Sequence, residues 1–250
     1  VSVRSGTYSI VARDPATGEL GVAVQSHWFS VGSIVTWARA GVGAVATQSI
    51  AEPAYGPRLL DRLAAGEAPA GALAAELAAD ELDRFRQVAV VDASGTVAVH
   101  TGDGCMPHAG HRTGAGFSAQ ANLMSSERIW PAMAEAFEAS SGPLARRLLA
   151  ALDAGEAAGG DVRGRQSAAL LVVGADGEPW RAGVELRVED AVDPLGELRR
   201  LLDLHDAYEL ADRADTLAGE GRHDEAAELY ERAAGAAPAN VELSFWAGLG

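Results

Sequence analysis

Apolar and polar positions alternate along the opening stretch Thr7-Tyr8-Ser9-Ile10-Val11-Ala12-Arg13, where Tyr8, Ile10 and Ala12 interleave with Ser9, Val11 and Arg13. A period of two is that of a strand. Asp14-Pro15 and Gly18 interrupt it before Leu20–Ser26 resumes it, so the stretch predicts a hairpin. Two more β-rich runs are expected over Gly32–Arg39 and Gly41–Ser49, hinged at Ala40-Gly41. After Tyr55 the period changes. Leu59, Leu60, Leu63, Leu73, Leu77 and Leu82 recur at helical spacing, with a break near Gly66–Gly71. Val88–Asp92 with Thr96–Thr101 predicts a second hairpin, and Gly114–Gln120 a further strand. Helices are expected over Glu127–Ser140 and Leu144–Glu156, then a third hairpin from Ser167–Val173 and Trp180–Val188.

Strands and helices thus come in runs and do not alternate strictly, which predicts an α+β fold of stacked antiparallel sheet and helix layers. From Asp193-Pro194 onward the pattern is helical. The expected division is a domain over residues 1–192, with 1–6 as a short leader, and a helical segment over 193–250. In that segment Gly221, Ala226, Ala227, Tyr230, Ala233, Pro238 and Asn240 resemble half of a tetratricopeptide repeat. Such a unit needs stacked neighbours to bury its face, so it reads as an interaction element.

Composition narrows the chemistry. A net charge of −15 argues against a polyanion partner, and nucleic acid is not expected. No apolar run reaches membrane length, so no membrane partner is expected either. The lone Cys105 allows no intramolecular disulfide and fits a reducing compartment, hence a cytoplasmic location. All 20 basic residues are arginines, which removes Walker phosphate binding, Schiff bases and Ser–Lys dyads.

Thr7 follows a glycine near the front of the chain. Freed of Val1–Gly6, it would carry a nucleophilic hydroxyl and an α-amine of near-neutral pKa, so one residue would supply both nucleophile and base. The competing reading is an ordinary strand threonine. Asp161-Val162-Arg163-Gly164-Arg165-Gln166-Ser167 enters the third hairpin. Arg163 and Arg165 could grip a carboxylate, with Asp161 and Ser167 beside them; the same residues could equally form a solvated ion-paired loop. Asn122 at a strand end is a candidate oxyanion donor, or else belongs to a helix N-cap region. Ser26, His27, Arg39 and Gln48 sit at early strand ends and are candidates to tune Thr7 or contact substrate. Ser26 and His27, being adjacent on a strand, point to opposite faces and make a poor triad. Cys105, His108 and His111 lack the spacing of a usual zinc site, and neither metal nor cofactor is expected.

Several of these blocks together resemble a family of bacterial and archaeal proteins, DUF1028: Thr7–Asp14, Trp37–Gln48, Tyr55-Gly56-Pro57, Ala109-Gly110-His111 and Gly160–Ala168. The resemblance covers about Thr7 to Leu202. It implies the four-layer αββα sandwich of the N-terminal-nucleophile hydrolases, and so an amide hydrolase. In relatives the threonine commonly follows the initiating Met, whereas here exposure of Thr7 requires cleavage at Gly6–Thr7. Proteasome-like enzymes place a lysine beside the threonine, and Arg39 is the substitute implied here. The tail resembles a segment labelled putative peptidoglycan-binding. The sequence therefore leads us to expect an amidase for a small acidic substrate, forming a homo-oligomer. The alternative is a non-catalytic binding module whose tail docks a protein or cell-wall glycan.

Overall fold

The computed structural model describes residues 6–178 and 182–248, and these divide into two compact units, 1–198 and 199–250. In the first unit, β1 (Thr7–Arg13) and β2 (Leu20–Ser26) form the expected hairpin, with Thr7 opposite Ser26 and Arg13 opposite Leu20. Asp14 shapes the turn by accepting at Oδ1 from the backbone N–H groups of Ala16 and Thr17. The hairpin is the centre of a six-stranded sheet. β9 (Ser167–Val173) and β10 (Val184–Val188) extend it beyond β2, while β8 (Phe117–Asn122) and β7 (Gly110–Gly114) extend it beyond β1. β3 (Thr36–Arg39), β4 (Gly43–Ser49), β5 (Arg86–Asp92) and β6 (Val97–Thr101) form a second sheet in that order. Every neighbouring pair is antiparallel.

The sheets face each other across a core of Val11, Val22, Val24, Ala44, Ala46, Ala89 and Val91. Their period-two partners point the other way. Val45, Val88 and Val90 meet Leu59, Leu60 and Leu73 from α2 (Tyr55–Ala64) and α3 (Pro69–Ala78). On the six-stranded sheet, α4 (Ile129–Ala139) and α5 (Leu144–Ala157) supply the cover. Tyr8, buried under α5, donates from its hydroxyl to Glu156 Oε2 at 2.8 Å. Close approach fixes the other helix layer. A Cβ on Gly56 would lie 2.2 Å from the Trp37 ring, so only glycine lets α2 rest directly on that indole.

Two sequence expectations change. Gly32–Val35 is a single helical turn, α1, before β3 begins. Gly110–Gly114 is a strand, although Gly-His-Arg-Thr-Gly has no apolar alternation; it is an edge strand held by its ladder to β8. Trp180, expected to open the last strand, lies outside the described residues.

The second unit comprises the later part of α6 (Pro194–Gly219) with α7 (His223–Ala236) and α8 (Val241–Ala247). Ala207, Ala211, Ala233 and Leu243 form one small core, and Ala214, Ala226 and Leu229 another. Asn240 caps α8, its Oδ1 accepting from Leu243 N at 3.1 Å. Among the described residues no helix is long and apolar enough to cross a membrane.

Candidate active site

Thr7 opens β1 and faces the second sheet, 2% exposed. Its Oγ1 donates to the carbonyl oxygen of Gly6 at 2.7 Å and lies 3.1 Å from Ser26 Oγ. Two further donors converge on that carbonyl: Ser26 Oγ at 2.5 Å and Arg163 Nη2 at 2.7 Å. The peptide bond before Thr7 is therefore polarised by a cation and a hydroxyl beside a nucleophilic oxygen.

Arg163 is held in this aim by Asp161. The Asp161 carboxylate accepts from Arg163 Nη2 at 2.6 Å, Nε at 3.0 Å and backbone N at 2.9 Å, and from His27 N at 3.2 Å. A Cβ on Gly6 would sit 2.7–2.8 Å from the same carboxylate, so the residue before Thr7 must be small for the cluster to close. The Asp161–Ser167 stretch does form ion pairs, and Arg163 is also directed at the peptide bond before Thr7.

Behind Thr7 the inner face carries a seam of buried amides and hydroxyls joining the sheets. Gln48 Oε1 accepts from Ser9 Oγ at 2.7 Å, and Gln48 Nε2 donates to Gln87 Oε1 at 2.8 Å and to the Thr7 carbonyl at 3.3 Å. Gln120 Nε2 donates to Ser9 Oγ at 2.6 Å, and Asn122 Nδ2 to Gln87 Oε1 at 3.0 Å. Gln48 thus backs the threonine from β4. Asn122 is opposite Thr7 in the β1–β8 ladder, yet its Nδ2 points to Gln87 and, at 3.5 Å, to the Thr7 carbonyl. The donors on the Gly6 carbonyl oxygen are instead Ser26 Oγ and Arg163 Nη2.

Arg39 is not brought to this site. It pairs with Gly43 at the far end of β4 from Gln48, five residues or about 17 Å along the strand, and binds Asp61 at 2.8 Å. Matching strand ends cannot be told apart before the pairing is known. Arg165 is directed outward as well, 3.3 Å from Asp193 and 3.6 Å from Glu156. Its carbonyl oxygen is 3.2 Å from His27 Nδ1. Ser167 fixes a loop and does not touch Thr7: its Oγ donates to Trp28 O at 2.5 Å and accepts from Val31 N at 3.1 Å.

That loop walls a cavity of about 170 Å³ beside Thr7, lined also by Ile34, Val35, Gln48, Ser49 and Ile50. Ser49, with φ +73°, and Leu123, with φ +56°, are non-glycine residues in the left-handed region at strand ends flanking Thr7. Strain of this kind, about 1–3 kcal/mol per residue, gathers where function over-determines geometry. Composition alone did not single out Ser9, Gln87 or Gln120. The available signal was polar side chains at alternate positions, Thr7 and Ser9 on β1 and Ser118, Gln120 and Asn122 on β8.

Cys105, His108 and His111 go separate ways. Cys105 Sγ donates to Arg86 O at 3.4 Å, His111 Nδ1 lies 2.9 Å from Thr101 Oγ1, and His108 lies 3.9 Å from Glu127. Among the described residues no group of three His, Cys, Asp or Glu side chains could hold a metal ion.

A family model, DUF1028, described as a family of unknown function, matches residues 7–198. The chain belongs to that family. The match opens on Thr7 itself. Among solved structures, protein SPO2555 from Silicibacter pomeroyi, of the same family, is similar at 35% identity, with a TM-score of 0.73 over 79% of this chain and 85% of that one. No functionally curated protein matches the chain.

Proposed function

We propose that the protein is an amide hydrolase of the N-terminal-nucleophile type, built on the four-layer αββα sandwich of that class, with Thr7 as nucleophile. One observation carries the reading: three donors, Thr7 Oγ1, Ser26 Oγ and Arg163 Nη2, converge within 2.7 Å on the Gly6 carbonyl oxygen. In the first reaction Thr7 Oγ1 attacks the Gly6 carbonyl carbon. The C–N bond breaks, the hydroxyl proton passes to Thr7 N, and an ester links Gly6 to Oγ1. Water hydrolyses that ester to a Gly6 carboxylate and a free Thr7 hydroxyl and amine. In turnover the amine takes the hydroxyl proton, Oγ1 attacks the substrate carbonyl, and the proton is returned to the leaving amine. Ser26 and Arg163 then face the substrate's carbonyl oxygen, where the negative charge develops.

Intact mass of the purified chain tests processing: loss of residues 1–6 is expected, and their retention in Thr7→Ala. A chain produced with Thr7 directly behind the initiating Met tests turnover separately. If residues 1–6 persist on wild-type protein and the Thr7-terminal chain cleaves no amide in a broad panel, the reading is wrong.

A second reading has its own support in the helical unit. Val241, Phe245 and Trp246 on α8 are 82%, 58% and 44% exposed, an apolar surface suited to a further helix of a tetratricopeptide-like stack. On this reading the tail docks another protein chain, and deleting 199–250 would abolish that association.

A further inference from the structure

The expected acidic substrate rested on Arg39, Arg163 and Arg165. None of them lines the cavity beside Thr7, and among the described residues no lining side chain is ionisable. Arg39 and Arg165 are ion-paired elsewhere, and Arg163 is engaged by Asp161 and the Gly6 carbonyl. The apolar walls are Trp28, Val31, Ile34, Val35, Ile50 and Ala51, and the polar lining is Thr7, Gln48 and Ser49, all uncharged side chains. Gln48 is the largest polar side chain in the lining, and both its amide oxygen and its amide nitrogen already have partners. Its oxygen serves Ser9, and its nitrogen serves Gln87 Oε1 and the carbonyls of Thr7 and Gln120.

We propose that this cavity receives an uncharged, branched aliphatic or small aromatic group adjoining the carbonyl that Thr7 attacks. The proposal rests on the hydrolase reading for its chemistry, but the preference itself is a property of the cavity. A carboxylate placed against these walls would lose its hydration with no lining side chain to offer it a positive charge, a cost that an apolar group avoids. The size agrees. At about 170 Å³ the space is close to the ~150 Å³ apolar cavity that admits benzene. The walls are also built for selection. Val31 and Val35 are buried on the α1 turn, and Ser167 fixes the backbone that carries Trp28 and Val31.

Ligand-observed NMR on a chain that begins at position 7 and carries Thr7→Ala, so that Gly6 no longer fills the carbonyl position, tests the preference without catalysis. Isovaleramide and succinamate, an amide of similar length with a carboxylate, are the probes. Isovaleramide should bind at least tenfold more tightly. Adding Ile34→Trp should fill the cavity and cost at least tenfold in isovaleramide binding. Trp28→Ala, at a side chain 39% exposed and so harmless to folding, should weaken it severalfold. Succinamate binding as tightly or more tightly, no binding of either amide, or isovaleramide binding indifferent to both variants overturns the proposal. If the preference holds while the Thr7-terminal chain hydrolyses nothing, the hydrolase reading fails and the apolar cavity stands.

Discussion

Thr7 Oγ1 lies 2.7 Å from the carbonyl oxygen of Gly6, the residue whose bond to Thr7 must break if the threonine is to become terminal. Arg163 reaches the same oxygen from 157 residues away in the chain. Loss of one preorganised donor to a developing oxyanion slows acyl transfer by about 10²–10³. Arg163→Lys keeps the charge but loses the forked contact that binds Asp161 and Gly6 together. We expect release of residues 1–6 to slow by about 10² in this variant, followed by intact mass over time. A rate equal to wild type would remove Arg163 from the reaction.

Gly6→Ala tests the same cluster sterically. The new methyl would meet the Asp161 carboxylate at 2.7–2.8 Å, so either Asp161 or the scissile peptide must shift. Cleavage, followed by intact mass over time, should slow at least tenfold, and the urea midpoint recorded beside it separates a local shift from loss of the fold. Unimpaired cleavage would show that the placement of Asp161 is irrelevant to the step.

What the sequence could reveal follows from the range of each interaction. The opening hairpin was legible because period two and the Asp-Pro break are local, as were the helices over 129–139 and 144–157. β7 was not, because its five residues lie at a sheet edge and are held by pairing with β8. Thr7 and the Arg163 segment could be singled out by residue type. Their meeting depends on Ser26 standing opposite both Thr7 and Ser167, a register spanning 160 residues that no local pattern encodes. Arg39 escaped local reading for the same reason, since β3 pairs it with Gly43, at the end of β4 away from Gln48.

The amide seam offers a test of stability. Gln48→Leu keeps the volume but strips Ser9 Oγ of its acceptor and the Thr7 carbonyl of a donor in a fully buried setting. Buried groups left unsatisfied cost about 1–3 kcal/mol each, so a loss of about 2–4 kcal/mol is expected by urea denaturation. Adding Ser9→Ala removes one orphan, and the double variant should lose less than the sum of the singles. Strict additivity would mean that the two side chains are not coupled.

The last expectation concerns acid and links stability to the cavity wall. The Asp80 carboxylate accepts from Arg86 Nε at 2.7 Å, the Tyr55 hydroxyl at 3.1 Å and Leu82 N at 2.9 Å. The Arg86 contact, more than any other, holds its pKa below the usual carboxylate value. As pH falls, the unfolded chain therefore takes up this proton first, and stability drops with it. The contribution is complete above about pH 4, the ordinary Asp value, and disappears as pH falls through the lower folded value. Arg86 is 5% exposed and donates from Nη1 to the carbonyl of Ile50, a wall of the cavity beside Thr7, at 2.5 Å. Asp80→Asn would leave this guanidinium without its counter-charge, at about 3 kcal/mol near pH 7. The gap between wild type and variant, measured by urea unfolding at pH 7, 5 and 3, should be similar at the first two and shrink at the third. Isovaleramide affinity should fall together with stability at pH 7, because Ile50 is no longer held. A gap that persists unchanged at pH 3 would place the stabilisation in packing rather than in the Asp80 charge.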